Sequence, residues 1–210
     1  MRKTLNILLD IDQTLISAER YKETKENVPG ELQSHNMLNE YMVVERPGLQ
    51  EFLDYIFENF NVSIWTAASK DYALFIYEKV IHRNDKKRNV DYFFVDYHCG
   101  ISRRVSGKYK SKDISLLWNV YYLEGYNKYN TVILDDNDEV YNSQTKNCIR
   151  VVPPFYFLDK ECLQDKFLYN LVDILKSIKW DECIKKSTLQ NCIVSMNKKI
   201  KNLKPASIDE

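Results

Sequence analysis

Residues 5–9 read LNILL, and the apolar run stops abruptly at Asp10, Asp12 and Thr14. A run of this kind with no polar face predicts a strand buried on both sides. Downstream, the pattern alternates between strand-like runs and helical spacing. Residues 17–39 are polar and broken by Pro29 and Gly30, which predicts loops or a short hairpin, with a return strand over 40–44. Pro47, just after Arg46, suits a first helical position. Leu49, Phe52, Leu53, Ile56 and Phe57 then space out a helix over 49–59. A second strand is expected over 61–65, ending at Thr66, and a helix over 70–81 on Tyr72, Phe75, Ile76 and Val80. Residues 81–89 are charged and read as solvated; 90–95 read as a strand and 102–110 as a basic loop. Residues 111–114 open a short helix carrying Leu116, Leu117 and Val120. Residues 131–134 form a predicted strand ending in Asp135-Asp136-Asn137, and 149–152 another, closed by Pro153-Pro154. An amphipathic helix is expected over 163–178, and a peripheral helix with a frayed tail over the lysine-rich remainder.

Strand and helix in alternation predict an α/β fold with a parallel sheet flanked by helices. Crossovers in such a sheet put every strand's C-terminal end on one edge, where ligands bind at a switch in strand order. The predicted strand ends carry chemistry: Asp10 and Asp12, then Thr66, then Asp135 and Asp136, with Lys112 at a helix start between them. Side chains two apart on a strand point the same way, so Asp10 and Asp12 can reach into one space. One can attack an electrophile while the other moves a proton. Phosphoryl transfer needs such a set, because its transition state spreads negative charge over equatorial oxygens. Clustered carboxylates repel phosphate unless a cation intervenes, and hard oxygen ligands favour magnesium.

Composition narrows this reading. Thirty basic and thirty acidic residues give a formal net charge of zero, so no global charge argues for nucleic acid or an anionic membrane. The N-terminus moves straight into the first strand without a signal-peptide h-region, and no apolar segment approaches a membrane span. Five cysteines, none in a C-x-x-C pair, suggest neither a zinc site nor a disulfide framework, so reduced thiols are expected. An intracellular protein is therefore expected, nuclear or cytoplasmic, or viral within an infected cell. His35, His82 and His98 have no partner at ligand spacing. Tyr21, Tyr41, Tyr72 and Tyr109 are expected to pack in the core or on the surface. Arg103 and Arg104 are read as a solvated loop, and the C-terminal lysines as a solvated face.

In order, D-x-D-x-T, R-P-G, W-T-A-A-S, K-D-I-S and L-D-D resemble the haloacid dehalogenase superfamily. The resemblance is closest to its FCP/SCP (NLI-interacting-factor-like) branch, phosphatases acting on the RNA polymerase II C-terminal domain. It spans roughly residues 5–178. The resemblance implies a haloacid dehalogenase-like, Rossmann-like parallel sheet with a small insertion after the first strand. It implies a phosphatase domain over 1–180, with a cap-like insertion at 17–45 and a helical or frayed extension at 181–210. It implies Asp10 as nucleophile, forming an aspartyl-phosphate, and Asp12 as general acid and base. Thr66, Ala67 and Lys112 would hold the phosphate; Thr66 and Lys112 would also steady the intermediate. Asp10, Asp12 (through its backbone carbonyl), Asp135 and Asp136 would hold Mg2+. Thr14 would shape the turn, and Arg46 would be structural or touch substrate.

Gln13 stands where the family usually carries Glu, and the last motif reads Asp135-Asp136-Asn137, nearer the larger FCP type. The function expected is a magnesium-dependent protein serine/threonine phosphatase acting on a phosphorylated protein or peptide. The alternatives are the same chemistry on small molecules, nucleotides or nucleic-acid ends, and a non-catalytic binding module of the same fold.

Overall fold

In chain order the strands are β1 (Asn6–Leu9), β2 (Ile16–Arg20), β3 (Ser34–Met37), β4 (Tyr41–Glu45), β5 (Asn61–Trp65), β6 (Phe93–Phe94), β7 (Thr131–Asp135) and β8 (Cys148–Arg150). The helices are α1 (Tyr21–Thr24), α2 (Leu49–Asn59), α3 (Lys70–Ile76), α4 (Asp96–Ser106), α5 (Leu116–Asn119), α6 (Asp138–Ser143), α7 (Phe167–Lys176), α8 (Trp180–Lys185) and α9 (Leu189–Lys201). They come from a computed structural model that describes residues 3–24 and 26–203; the expected tail beyond 203 lies outside the described residues.

Five strands form a parallel sheet in the order β6-β5-β1-β7-β8, with Leu9 in register with Ile64 on one side and Leu134 on the other. The order reverses at β1, so the crevice at its C-terminal end is the switch point where this class of sheet binds ligands. Both faces of the sheet are covered, which explains why its strands read as unbroken apolar runs. Ile7, Leu9, Val62, Ile64, Val132 and Leu134 face a core shared with α2, α7 and α9. Leu8, Trp65 and Ile133 face the opposite way, against Phe94, Leu117 and Tyr126.

The insertion after β1 is a three-stranded antiparallel sheet in the order β2-β4-β3, with α1 between its first two strands in sequence. Its inner side packs Met42 and Val44 against Phe155 and Phe157.

Several local expectations are corrected. Residues 102–110 were expected to be a loop, but α4 runs through Ser106. Only Cys99 and Ser102 of that helix are buried, so it carries almost no apolar periodicity to read. The strand expected over 90–95 is only two residues long. The helix expected over 70–81 changes at Tyr77 into a π-helical stretch, Tyr77–His82. α6 was not anticipated; Asn137 caps it by accepting from the Glu139 amide at 2.8 Å.

The C-terminal region is not peripheral. Leu189, Ile193, Met196 and Ile200 of α9 belong to the main core. The Asn197 amide accepts from the Arg150 backbone amide at 3.0 Å and donates to the Cys148 carbonyl at 2.8 Å. A single side chain thus pairs with two of the outward-facing backbone groups of edge strand β8. Cys183 and Cys192 are joined in a disulfide, which corrects the expectation of reduced thiols at this pair. The turn between α8 and α9 brings them together, and a nine-residue separation matches no short cysteine motif. Cys99, Cys148 and Cys162 are free and buried.

Candidate active site

The C-terminal ends of β1, β5 and β7 meet at one edge of the sheet. Asp10 follows β1 directly, and its amide donates to the Leu134 carbonyl at 3.0 Å, which fixes the carboxylate beside β7. The chain then turns tightly: Leu15 N bonds Ile11 O at 2.9 Å, and Gln13 adopts a φ of 57°.

Lys112 is the centre of charge. Its ammonium lies 2.5 Å from Asp10 Oδ1 and 2.8 Å from Asp135 Oδ2. All three side chains are buried. Two carboxylates against one buried ammonium leave net negative charge in a site that excludes water, which is costly without a further cation. The pKa directions reflect this. Burial alone depresses the Lys112 ammonium, but the charges of Asp10 and Asp135 outweigh it and hold the group above the ordinary lysine value. Burial, then the charge of Asp10, raises Asp135 and likewise Asp136.

The loop carrying Lys112 is held from both sides. Gln144, the residue that ends α6, donates to the Lys112 carbonyl at 2.7 Å and accepts from the Ile114 amide at 3.2 Å. The Ser102 hydroxyl of α4 donates to the Lys110 carbonyl and accepts from the Asp113 amide at 2.9 Å. Two helices that sequence periodicity missed therefore place this lysine.

Carboxylate oxygens of Asp10, Asp135 and Asp136 lie within 4.8 Å of one another. The Thr14 hydroxyl sits between two of them, 3.2 Å from Asp10 Oδ2 and 3.4 Å from Asp136 Oδ1. Asp135 is further fixed by the Asn137 amide, which donates to Oδ1 at 2.9 Å. Three oxygen donors, a net negative charge and raised carboxylates fit a small divalent cation. The Asp12 carboxylate stands apart from this group. It accepts from the Tyr72 hydroxyl at 2.6 Å, and burial raises its pKa to about 6 against the opposing effect of that bond. The Tyr72 phenol itself is pushed up by burial and then by Asp12, so it stays protonated and donates.

Thr66 is buried at the end of β5, and its Oγ1 accepts from the Ala68 amide at 3.0 Å. Its own hydroxyl proton is thereby free for another acceptor. Ala67, next to it, is exposed at the rim.

Arg46 is not at the mouth of the site. Only 1% exposed, it donates to Asp165 Oδ2 from Nε at 3.1 Å and from a terminal nitrogen at 2.8 Å. It also donates to the Pro153 carbonyl at 2.8 Å and the Thr14 carbonyl at 3.3 Å, with its guanidinium 4.5 Å from the Phe167 ring centre. Of the two roles open from sequence, this geometry is the structural one: it pins the turn after β1 from behind. Neither Asp165 nor Tyr72 was singled out from sequence as a partner. Each contact spans tens of residues, and no local spacing reports it.

A parallel sheet flanked by helices, with an acidic cluster and a buried lysine at its switch point, has the haloacid dehalogenase-like fold. A family model, "NLI interacting factor-like phosphatase", matches residues 5–188, and the chain belongs to that family. The CTD phosphatase-like protein 355R of Invertebrate iridescent virus 6 is 46% identical over 176 residues, covering 81% of this chain and 96% of that relative. Its namesake in Invertebrate iridescent virus 3 is 37% identical over 162 residues, covering 71% and 84%. Among solved structures, a variant of the fission yeast RNA polymerase II CTD phosphatase Fcp1 bound to beryllium fluoride aligns with a TM-score of 0.53 at 20% identity, covering 94% of this chain and 62% of that one. That likeness carries the fold.

Proposed function

We propose that this chain is a magnesium-dependent protein serine/threonine phosphatase that works through an aspartyl-phosphate on Asp10. Its substrate in this reading is the phosphorylated C-terminal domain of RNA polymerase II or a similar phosphopeptide. The observation that carries the reading is the buried Asp10–Lys112–Asp135 contact beside Asp136, at the switch point of the sheet. The names of its relatives support the substrate class. Two of those relatives are viral, which supports an enzyme at work inside an infected cell. Among the described residues no helix is long and apolar enough to cross a membrane.

Asp10, Asp135 and Asp136, with the Asp12 carbonyl, would hold Mg2+. When bound, the ion supplies charge that lets a phosphoryl group approach these carboxylates. The remaining roles fall to the chain. The Lys112 ammonium screens Asp10 and then the transferring phosphoryl oxygens. The Thr66 hydroxyl and the backbone at Ala67 orient those oxygens. An Asp10 oxygen attacks phosphorus in line with the seryl or threonyl oxygen, and that bond breaks as Asp12 hands its proton to the leaving oxygen. Asp12, now a carboxylate, takes a proton from water as the water oxygen attacks the phosphorus of the aspartyl-phosphate. Phosphate leaves and Asp10 is restored.

Purified protein should release phosphate from phosphoserine peptides of the polymerase tail with magnesium, and lose that activity in EDTA. Magnesium should also raise the melting temperature of the protein. Faster turnover of nucleotides than of phosphopeptides would overturn the substrate class. Full activity in EDTA would overturn the metal dependence.

A further inference from the structure

We propose that Tyr72 is a positioning residue for the reaction: its hydroxyl holds the Asp12 carboxylate by one oxygen, so that the other carries the proton to the leaving group. The proposal rests on the reading of Asp12 as proton donor. Three separate segments converge here. Asp12 sits on the turn after β1, Tyr72 on the first turn of α3, and Tyr41 on β4 of the inserted sheet. The Tyr72 hydroxyl donates to Asp12 Oδ1 at 2.6 Å. Among the described residues this is the one side-chain hydrogen bond the Asp12 carboxylate receives. Tyr41 meets the Tyr72 ring edge-on, with centroids 5.6 Å apart and planes at 82°. That contact holds the ring against the inserted sheet, so the insertion braces the phenol that braces the acid.

The consequence is specific. A carboxylate free to rotate about its side-chain torsions spends only part of its time aimed at the leaving oxygen, and proton transfer depends on that aim. Tyr72 occupies Oδ1 and leaves Oδ2 as the proton carrier. The phenol proton stays on Tyr72 throughout: in phosphoryl transfer the proton that moves comes from Asp12, and in hydrolysis it comes from water. Leaving groups differ in how much they need this help. A serine alkoxide is a poor leaving group and needs the proton; p-nitrophenolate is a good one and needs it little.

The test compares kcat/KM, which reports the step up to formation of the aspartyl-phosphate, for O-phosphoserine and for p-nitrophenyl phosphate. Y72F should lower kcat/KM on O-phosphoserine about tenfold, within the range by which acid catalysis contributes. The loss should lie in kcat with KM held, and exceed the loss on p-nitrophenyl phosphate at least fivefold. Y41L, which keeps the hydroxyl and removes its brace, should show the same selectivity at two- to threefold. Equal losses on both substrates in Y72F and Y41L, or no loss in Y72F, overturn the proposal. Asp12→Asn serves as the reference: absence of leaving-group selectivity there overturns the reading of Asp12, and the proposal with it. Selectivity in Asp12→Asn without selectivity in Y72F overturns the role of Tyr72 alone.

Discussion

Two buried cations lie on either side of the turn that carries Asp12 and Thr14, and they are partnered in opposite ways. Lys112, in front, faces the carboxylates of Asp10 and Asp135, with Asp136 close by. Arg46, behind, is matched by one carboxylate, Asp165, and spends its remaining donors on backbone carbonyls between aromatic rings. The rear cluster is balanced in charge and saturated in hydrogen bonds, the condition under which a buried ion pair persists as structure. The front cluster is short of positive charge and is only half-buried at Asp136, where ligands can reach it. Buried charge at the front stores an imbalance that a bound cation would relieve; at the rear it fixes shape.

Neutralising the front should therefore abolish chemistry without costing stability. In Asp10→Asn, phosphate release should fall by at least about a thousandfold, as when a nucleophile is removed. Its melting temperature without magnesium should hold or rise, because one repelling carboxylate is gone. A large drop in stability would mean that the two clusters are alike after all.

Arg46→Met should act in the reverse sense. It leaves half-buried Asp165 without its cation and the Thr14 and Pro153 carbonyls without their donor, and should cost about 3–5 kcal/mol, read as a shift in the urea midpoint. Activity should fall only as far as the catalytic turn loosens. An unchanged midpoint would remove the distinction drawn here.

The smallest effect is expected next door at Gly48. Its φ is +79°, and an added Cβ would lie 2.9 Å from the Tyr169 ring where α2 approaches α7. Gly48→Ala should cost about 1–3 kcal/mol from backbone strain and contact, with kcat/KM for the folded enzyme nearly unchanged. A loss of activity larger than the loss of folded protein would couple this rear packing to the front.

Legibility in the sequence followed locality. Leu49–Asn59 and Asn61–Trp65 were readable residue for residue, because the first buries a clean periodic face and the second is a short run buried on both sides. The convergence of Asp10, Asp135 and Asp136 was readable because strand ends in a parallel sheet share one edge; Lys112 joins them from a loop, which that rule does not reach. α4 and α6 were not, since their work is to hold a loop by polar contacts rather than to bury a stripe. The pairings Arg46–Asp165 and Tyr72–Asp12 span 119 and 60 residues, and each residue alone looks ordinary. The core role of α9 was hidden by its lysines, which line the outer side of a helix whose inner side carries Leu189, Ile193, Met196 and Ile200.

The grip of Asn197 on β8 sets an order on biosynthesis. Until the ribosome has delivered residue 197, the rim of the nascent sheet at Cys148 and Arg150 has no mate and is open to any extended chain nearby. The protein finishes its sheet with an amide drawn from almost fifty residues later, so a chain ending before residue 197 would leave that flank unpaired and would lose Ile200 from the core as well.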